Sequence, residues 1–196
     1  PLEAKAWSEI GADAVCVQGV EAGGHRGGWL PQSESDPLGL LTLIGQTRAC
    51  TDIPLIAAGG IMTGQDIKAV QAAGAELAQM GTAFLTTDQC GINDTYKQAL
   101  LDASHSRRSS ETRLTRLFSG KLARGLLNDY LRDFAQFESA DELPPYPQLN
   151  AMSKPMRAYA SQNMDAEHQS LWAGQGVTLV KQESTFELLE RLVKTL

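Results

Sequence analysis

Short apolar runs that end in glycine set the rhythm of the first half of this chain. Ala14 to Val17 leads into Gln18, "IPLIAAGGI" runs from Ile53 to Ile61, and "LAQMGTAFL" runs from Leu77 to Leu85. Each run is too short and too apolar for a surface strand. Together they predict buried parallel strands near Ala14–Gln18, Leu55–Ala58 and Ala78–Met80. Helix-like spacing precedes the first run and returns over Gly64 to Ala73. The two stretches are related: "AKAWSEIGADAVCVQG" from Ala4 and "IKAVQAAGAELAQMG" from Ile67 align at a shift of 63 residues. Lys5 then falls on Lys68, Gly11 on Gly74, Ala12 on Ala75 and Asp13 on Glu76. The glycine suits a helix C-cap. Helix, Gly-Ala-acid, then strand, repeated, is βαβ logic and a parallel sheet. Three strands with their helices make at most half of an α/β domain.

After Leu85 the strand pattern stops. Helices are expected over Asn93–Ala103, Leu126–Phe137 and Thr185–Leu196. Asp141 to Pro155 holds four of the eight prolines and is expected to be an extended connection. Residues 1–105 thus read as βα units, and 106–196 as a helical and extended C-terminal region of the same domain.

Composition narrows the class. The 196 residues suffice for one core, and 42% hydrophobic with 20% charged residues indicates a soluble globular chain. A net charge of −6 argues against a nucleic-acid surface. No apolar run is long enough for a membrane span. Cys16, Cys50 and Cys90 form neither a metal spacing nor a disulfide framework, so no metal is expected and a reducing cytoplasm is the default. The chain opens on Pro1 directly into a helical pattern, which suggests that a preceding segment is missing.

The glycines point to a phosphate. Gly59 and Gly60 end one strand ahead of a helix, and Gly81 and Thr82 hold the same place on the next. Backbone N–H groups in such turns can reach a phosphate because no Cβ intervenes, and a helix N-terminus adds a favourable dipole. The first strand leads into "VEAGGHRGGW", where His25 sits among Gly23, Gly24, Gly27 and Gly28. Its position suits a proton-transfer group at a strand end; a loop histidine bonded to a carbonyl is the structural alternative. Arg26 reads either as an anion holder or as a solvent-facing side chain. Cys16 reads as packing, and His105 and His168 as solvated. Arg107, Arg108, Arg113 and Arg116 read as a solvated basic face. Trp172 either caps the site or anchors the C-terminal segment.

"GADAVCVQGVEAGGHRG", "IPLIAAGGI" and "AQMGTAFL", in this order and spacing, resemble the nitronate monooxygenases, once called 2-nitropropane dioxygenases. The resemblance continues through "RLFSGKLARGLLN", "YPQLNAMSKPMR" and "SLWAGQG". It implies an α/β fold, a partial (β/α)8 TIM barrel made of about its last three βα units, followed by a C-terminal helical extension. Only an open arc of three strands is then expected, because a barrel cannot close with five strands missing. The resemblance implies FMN as cofactor, with Gln18, Gly23, Gly60, Gln79, Met80, Gly81 and Thr82 around it. It implies His25 as the catalytic residue, and a nitronate or nitroalkane with O2 as substrates. The FMN-dependent enoyl-acyl-carrier-protein reductases share the barrel and a similar Gly-Gly-His turn, and are the alternative. A truncated chain without catalysis is another.

Overall fold

The computed structural model describes residues 1–31, 35–105, 111–138 and 143–196. Among them, β1 (Val15–Gln18), β3 (Leu55–Ala58) and β4 (Leu77–Gln79) form a parallel sheet in the order β1-β3-β4. The register pairs Val15 with Leu55 and Ile56 with Leu77. Helix α1 (Leu2–Glu9) precedes β1, α2 (Leu40–Arg48) crosses from β1 to β3, and α3 (Gly64–Ala72) crosses from β3 to β4. The three expected strands are therefore present, as an open arc with β1 and β4 at its edges.

One face of the arc carries the core. Val17, Leu55 and Ala57 point to the helices and meet Leu40, Ile44 and Val70. The other face is not buried: Cys16 and Gln79 are exposed, and Leu77 is 58% exposed. The expectation of buried strands therefore holds for β3, where only Ile56 is half-buried, and fails for β1 at Cys16 and for β4. Cys16 does not pack as expected either, since its Sγ lies 3.7 Å from the Gln79 side-chain oxygen on the open face.

The second half departs from expectation in two places. Strands do not stop at Leu85. A second, antiparallel sheet joins β2 (Gly24–His25), β6 (Ala123–Leu126) and β5 (Thr112–Thr115) in the order β2-β6-β5. Leu126 thus ends a strand instead of opening a helix. Asn128 caps the short helix α6 (Asp129–Asp133) by accepting from the Leu131 N–H, and a 3-10 turn follows at Ala135–Phe137. The supposed connection also becomes helical at Gln148: α7 (Gln148–Gln162) runs straight through Pro155. Proline removes a backbone donor inside that helix. The carbonyl left without its helical donor is that of Ala151, next to Asn150, whose own carbonyl accepts from Arg157 at 2.8 Å.

Helices α4 (Thr82–Leu85), α5 (Asp94–His105) and α8 (Thr185–Thr195) complete the chain. Ser184 and Glu187 cap α8 reciprocally. Its Leu188 and Leu192 reach a second core with Leu100, Leu126, Ala173 and Val177. Of the supposed basic face, Arg107 and Arg108 lie outside the described residues, and Arg113 pairs with Glu138 at 2.9 Å. No described helix is long and apolar enough to cross a membrane.

Candidate functional site

The strands β1, β3 and β4 all run toward one cavity of about 370 Å³. Its lining includes every residue expected around a cofactor: Gln18, Gly23, Gly60, Gln79, Met80, Gly81 and Thr82. A larger hollow of about 670 Å³ lies between α5 and α6, walled by Asp94, Gln98, Asn128 and Glu167, and none of the expected residues reaches it.

Physical reasons for the glycines differ by position. Gly60 has φ +68°, where a side chain is strained. Gly23 is a close-approach glycine: a Cβ there would lie 2.6 Å from the backbone of Ala173 and Gly174. Gly81 needs neither explanation, with φ −117° and open space in its Cβ direction. Among the described residues, the backbone N–H groups of Gly60, Gly81 and Thr82 have no acceptor within the protein. Unpaired N–H groups at the wall of a cavity suit an anion's oxygens. The helix N-terminus expected to assist at Gly60 is not open, whereas the one at Thr82 carries no side-chain cap. The N-terminus of α3 is closed by its own capping box, in which Asp66 accepts from the Met62 and Thr63 N–H groups at 3.0 and 2.9 Å.

The C-terminal segment forms a third wall, of which sequence reasoning offered only Trp172. Gly174 and Gly176 line the cavity, and the Gly174 N–H donates to Thr82 Oγ1 at 3.0 Å. The Thr82 hydroxyl proton remains available to a ligand. Trp172 and Tyr96 line it as well, and the Tyr96 hydroxyl donates to the Trp172 carbonyl. The two readings of Trp172 prove compatible. It faces the cavity, and it anchors its segment through a backbone bridge to Gly125.

His25 does not line the cavity itself but stands beside it, at the rim. Its neighbour Gly24 lines the cavity, and its ring lies 5.5 Å from that of Trp172 and 5.7 Å from that of Tyr146. Pairing of β2 with β6 sets it opposite Ala123. Its Nε2 lies 2.8 Å from Ser119 Oγ. It is therefore not the loop histidine bonded to a carbonyl. Gln18 holds the backbone around it, donating to the His25 carbonyl at 3.1 Å and accepting from the Gly27 N–H at 2.8 Å. Burial holds the His25 pKa below its ordinary value, and the Lys121, Arg157 and Arg26 charges push it the same way. The shift favours the neutral ring, the form a base requires.

Arg26 is not solvent-facing. It is buried, and its guanidinium donates to the carbonyls of Gly19, Ala22 and Gly24 at 2.9, 2.5 and 3.3 Å. Burial, with Arg124 nearby, brings its pKa down to about 10, against an opposing pull from Glu21. Its role is to tie the glycine loop into shape. The other histidines stand apart: His105 Nδ1 meets the Leu101 carbonyl at 2.7 Å, and His168 pairs with Asp165 at 2.8 Å.

A model of the nitronate monooxygenase family matches residues 2–195. A probable nitronate monooxygenase of Bacillus subtilis (strain 168) is 40% identical over 191 residues, covering 97% of this chain and 53% of that protein. Another, from Staphylococcus haemolyticus, is 41% identical over 194 residues, covering 98% and 53%. Among solved structures, nitroalkane oxidase from Streptomyces ansochromogenes superimposes with TM-score 0.90 at 42% identity, over all of this chain and 55% of that one. FabK from Thermotoga maritima superimposes with TM-score 0.78 at 28% identity, over 98% of this chain and 57% of that one. The chain therefore spans about half the length of the curated relatives it matches, and the match runs almost end to end. The glycine turns, the histidine loop and the third wall all lie inside that match, and the chain belongs to the nitronate monooxygenase family.

Proposed function

We propose that the full-length protein oxidises alkyl nitronates, or the parent nitroalkanes, with O2 to a carbonyl compound and nitrite, using FMN. The observation that carries this is the convergence on one cavity of unpaired N–H groups at Gly60, Gly81 and Thr82, with a half-buried His25 at its rim. The parallel strands are then the last three βα units of a (β/α)8 barrel, in which catalytic groups gather at the C-terminal strand ends.

The residues present fit the cofactor. Gly60 and Gly81 offer N–H groups to the phosphate, and Thr82 adds its hydroxyl. Gln18, Gly23, Gln79 and Met80 line the remaining wall. When bound, FMN would supply the redox chemistry between the nitronate and oxygen. His25 takes the proton from the α-carbon of a neutral nitroalkane, and the resulting imidazolium steadies the nitronate. Arg26 and Gln18 hold the loop that carries it.

The charge near His25 predicts a pH effect. Lys121 is the leading charge that lowers the His25 pKa, after burial. The neutral base therefore persists as pH falls below the ordinary histidine value and is lost only at the lowered one. Lys121→Met should raise that pKa and move the acid limb of kcat/KM for a neutral nitroalkane to higher pH, leaving the plateau above it in place. An unmoved acid limb would show that Lys121 does not act on His25.

The likeness to FabK, weaker in identity and superposition than that to the nitroalkane oxidase, motivates one comparison. Flavin-loaded, full-length protein is mixed anaerobically with a small alkyl nitronate or with NADH, and flavin bleaching is followed by stopped flow. Bleaching by the nitronate and not by NADH is expected. The reverse would favour a reductase and sink the proposal.

A further inference from the structure

The serine beside His25 has no proton to offer it. Ser119 is fully buried, at 0% exposure, and its hydroxyl oxygen meets three groups: the Lys121 carbonyl at 3.0 Å, the Lys121 N–H at 3.3 Å and His25 Nε2 at 2.8 Å. A serine hydroxyl has one proton and two lone pairs. A carbonyl oxygen only accepts, so the proton goes to Lys121. A backbone N–H only donates, so it uses one lone pair. The second lone pair is what remains for His25, and Nε2 must bring a hydrogen to it. Turning the hydroxyl proton toward His25 instead would leave two oxygens facing each other at 3.0 Å without a hydrogen between them.

The turn holds this arrangement still. The Ser119 and Gly120 N–H groups both donate to the Arg116 carbonyl, at 3.1 and 2.7 Å. Gly120 has φ +79°, and a Cβ there would run into the Pro144 carbonyl. On the other side, His25 is fixed by β2–β6 pairing and by the Arg26 N–H bond to the Leu122 carbonyl at 2.9 Å. Among the described residues, His25 Nδ1 has no hydrogen-bond partner.

We infer that Ser119 is a positioning residue that holds neutral His25 as its Nε2–H tautomer, so that Nδ1 is the nitrogen that receives the substrate's proton. The second half of this statement rests on the proposed function. In the step, the α-carbon C–H bond breaks, its electron pair moves into the nitro group, and the proton forms an N–H bond at Nδ1. The Nε2–H bond to Ser119 stays intact throughout and becomes charge-assisted in the imidazolium. An acceptor-only neighbour serves both charge states, and no hydroxyl has to turn during catalysis.

The test is the ring itself. Full-length protein with 15N-labelled histidine is recorded by long-range 1H–15N correlation above the His25 pKa, and His25→Asn assigns the signals. A protonated Nε2 with an unprotonated Nδ1 is expected. A protonated Nδ1 in the wild type overturns the inference, whether or not any variant folds. Ser119→Ala should relax the ring to a mixture of tautomers and lower kcat on a neutral nitroalkane by about tenfold, a part of the roughly 10²–10⁴-fold that a positioned base contributes, with KM little changed. An unchanged tautomer in a folded Ser119→Ala protein would overturn the positioning role. A wild type inert toward nitroalkanes would overturn Nδ1 as the base, while the spectrum would still decide the tautomer.

Discussion

Gly81→Val will purify without flavin. At this position the effect of a side chain can be isolated. Gly81 lies at φ −117°, a conformation open to any residue, and a Cβ there meets no atom within 4 Å. The fold therefore tolerates valine, and what valine fills is the space at the cavity wall where the phosphate oxygens are proposed to approach. Displacing them from the N–H groups of residues 81 and 82 should weaken FMN at least about 100-fold, or roughly 2.8 kcal/mol. Gly60→Val would be a poorer experiment, because φ +68° adds backbone strain to any loss of binding. The check is the FMN-to-protein ratio of the purified full-length variant, together with its thermal unfolding. A Gly81→Val protein with wild-type stability and a full complement of FMN would remove the phosphate from this turn.

Much of this site could be read from residues, and the limits have physical causes. β1, β3 and β4 were legible because each is an apolar run that ends in glycine or glutamine. The cavity they share follows from parallel strands ending together. β5 and β6 were not legible. Each has four residues, each carries an arginine, and their burial depends on partners far away in the chain: β2 and the Leu171–Trp172 segment both pair along the edge of β6 that β5 leaves free. Local pattern has no access to such pairing. Helix α7 was hidden by four prolines, three of which precede it, while the fourth sits inside it at Pro155. Arg26 was misjudged because a charged residue beside glycines usually faces water. Here three backbone carbonyls surround its head, and only the folded loop creates them. Ser119 gave no signal at all, since a serine in "FSGK" looks like any turn residue until its hydroxyl is found against His25.

Cys16, Leu77 and Gln79 lie uncovered on one face of the parallel sheet, although parallel sheets are generally covered on both faces. The curated relatives carry about as much sequence again beyond the matched region.

The most direct measurement of the central claim compares two protonation states of one substrate. Deprotonating a nitroalkane needs a base, whereas a preformed nitronate has already lost that proton. Oxygen consumption is followed with the neutral nitroalkane and with its nitronate, for wild type and for His25→Asn. General-base assistance contributes on the order of 10²–10⁴-fold, so His25→Asn should lose that much on the neutral form and far less on the nitronate. Equal, near-wild-type rates on both forms would contradict the account and remove His25 from the mechanism.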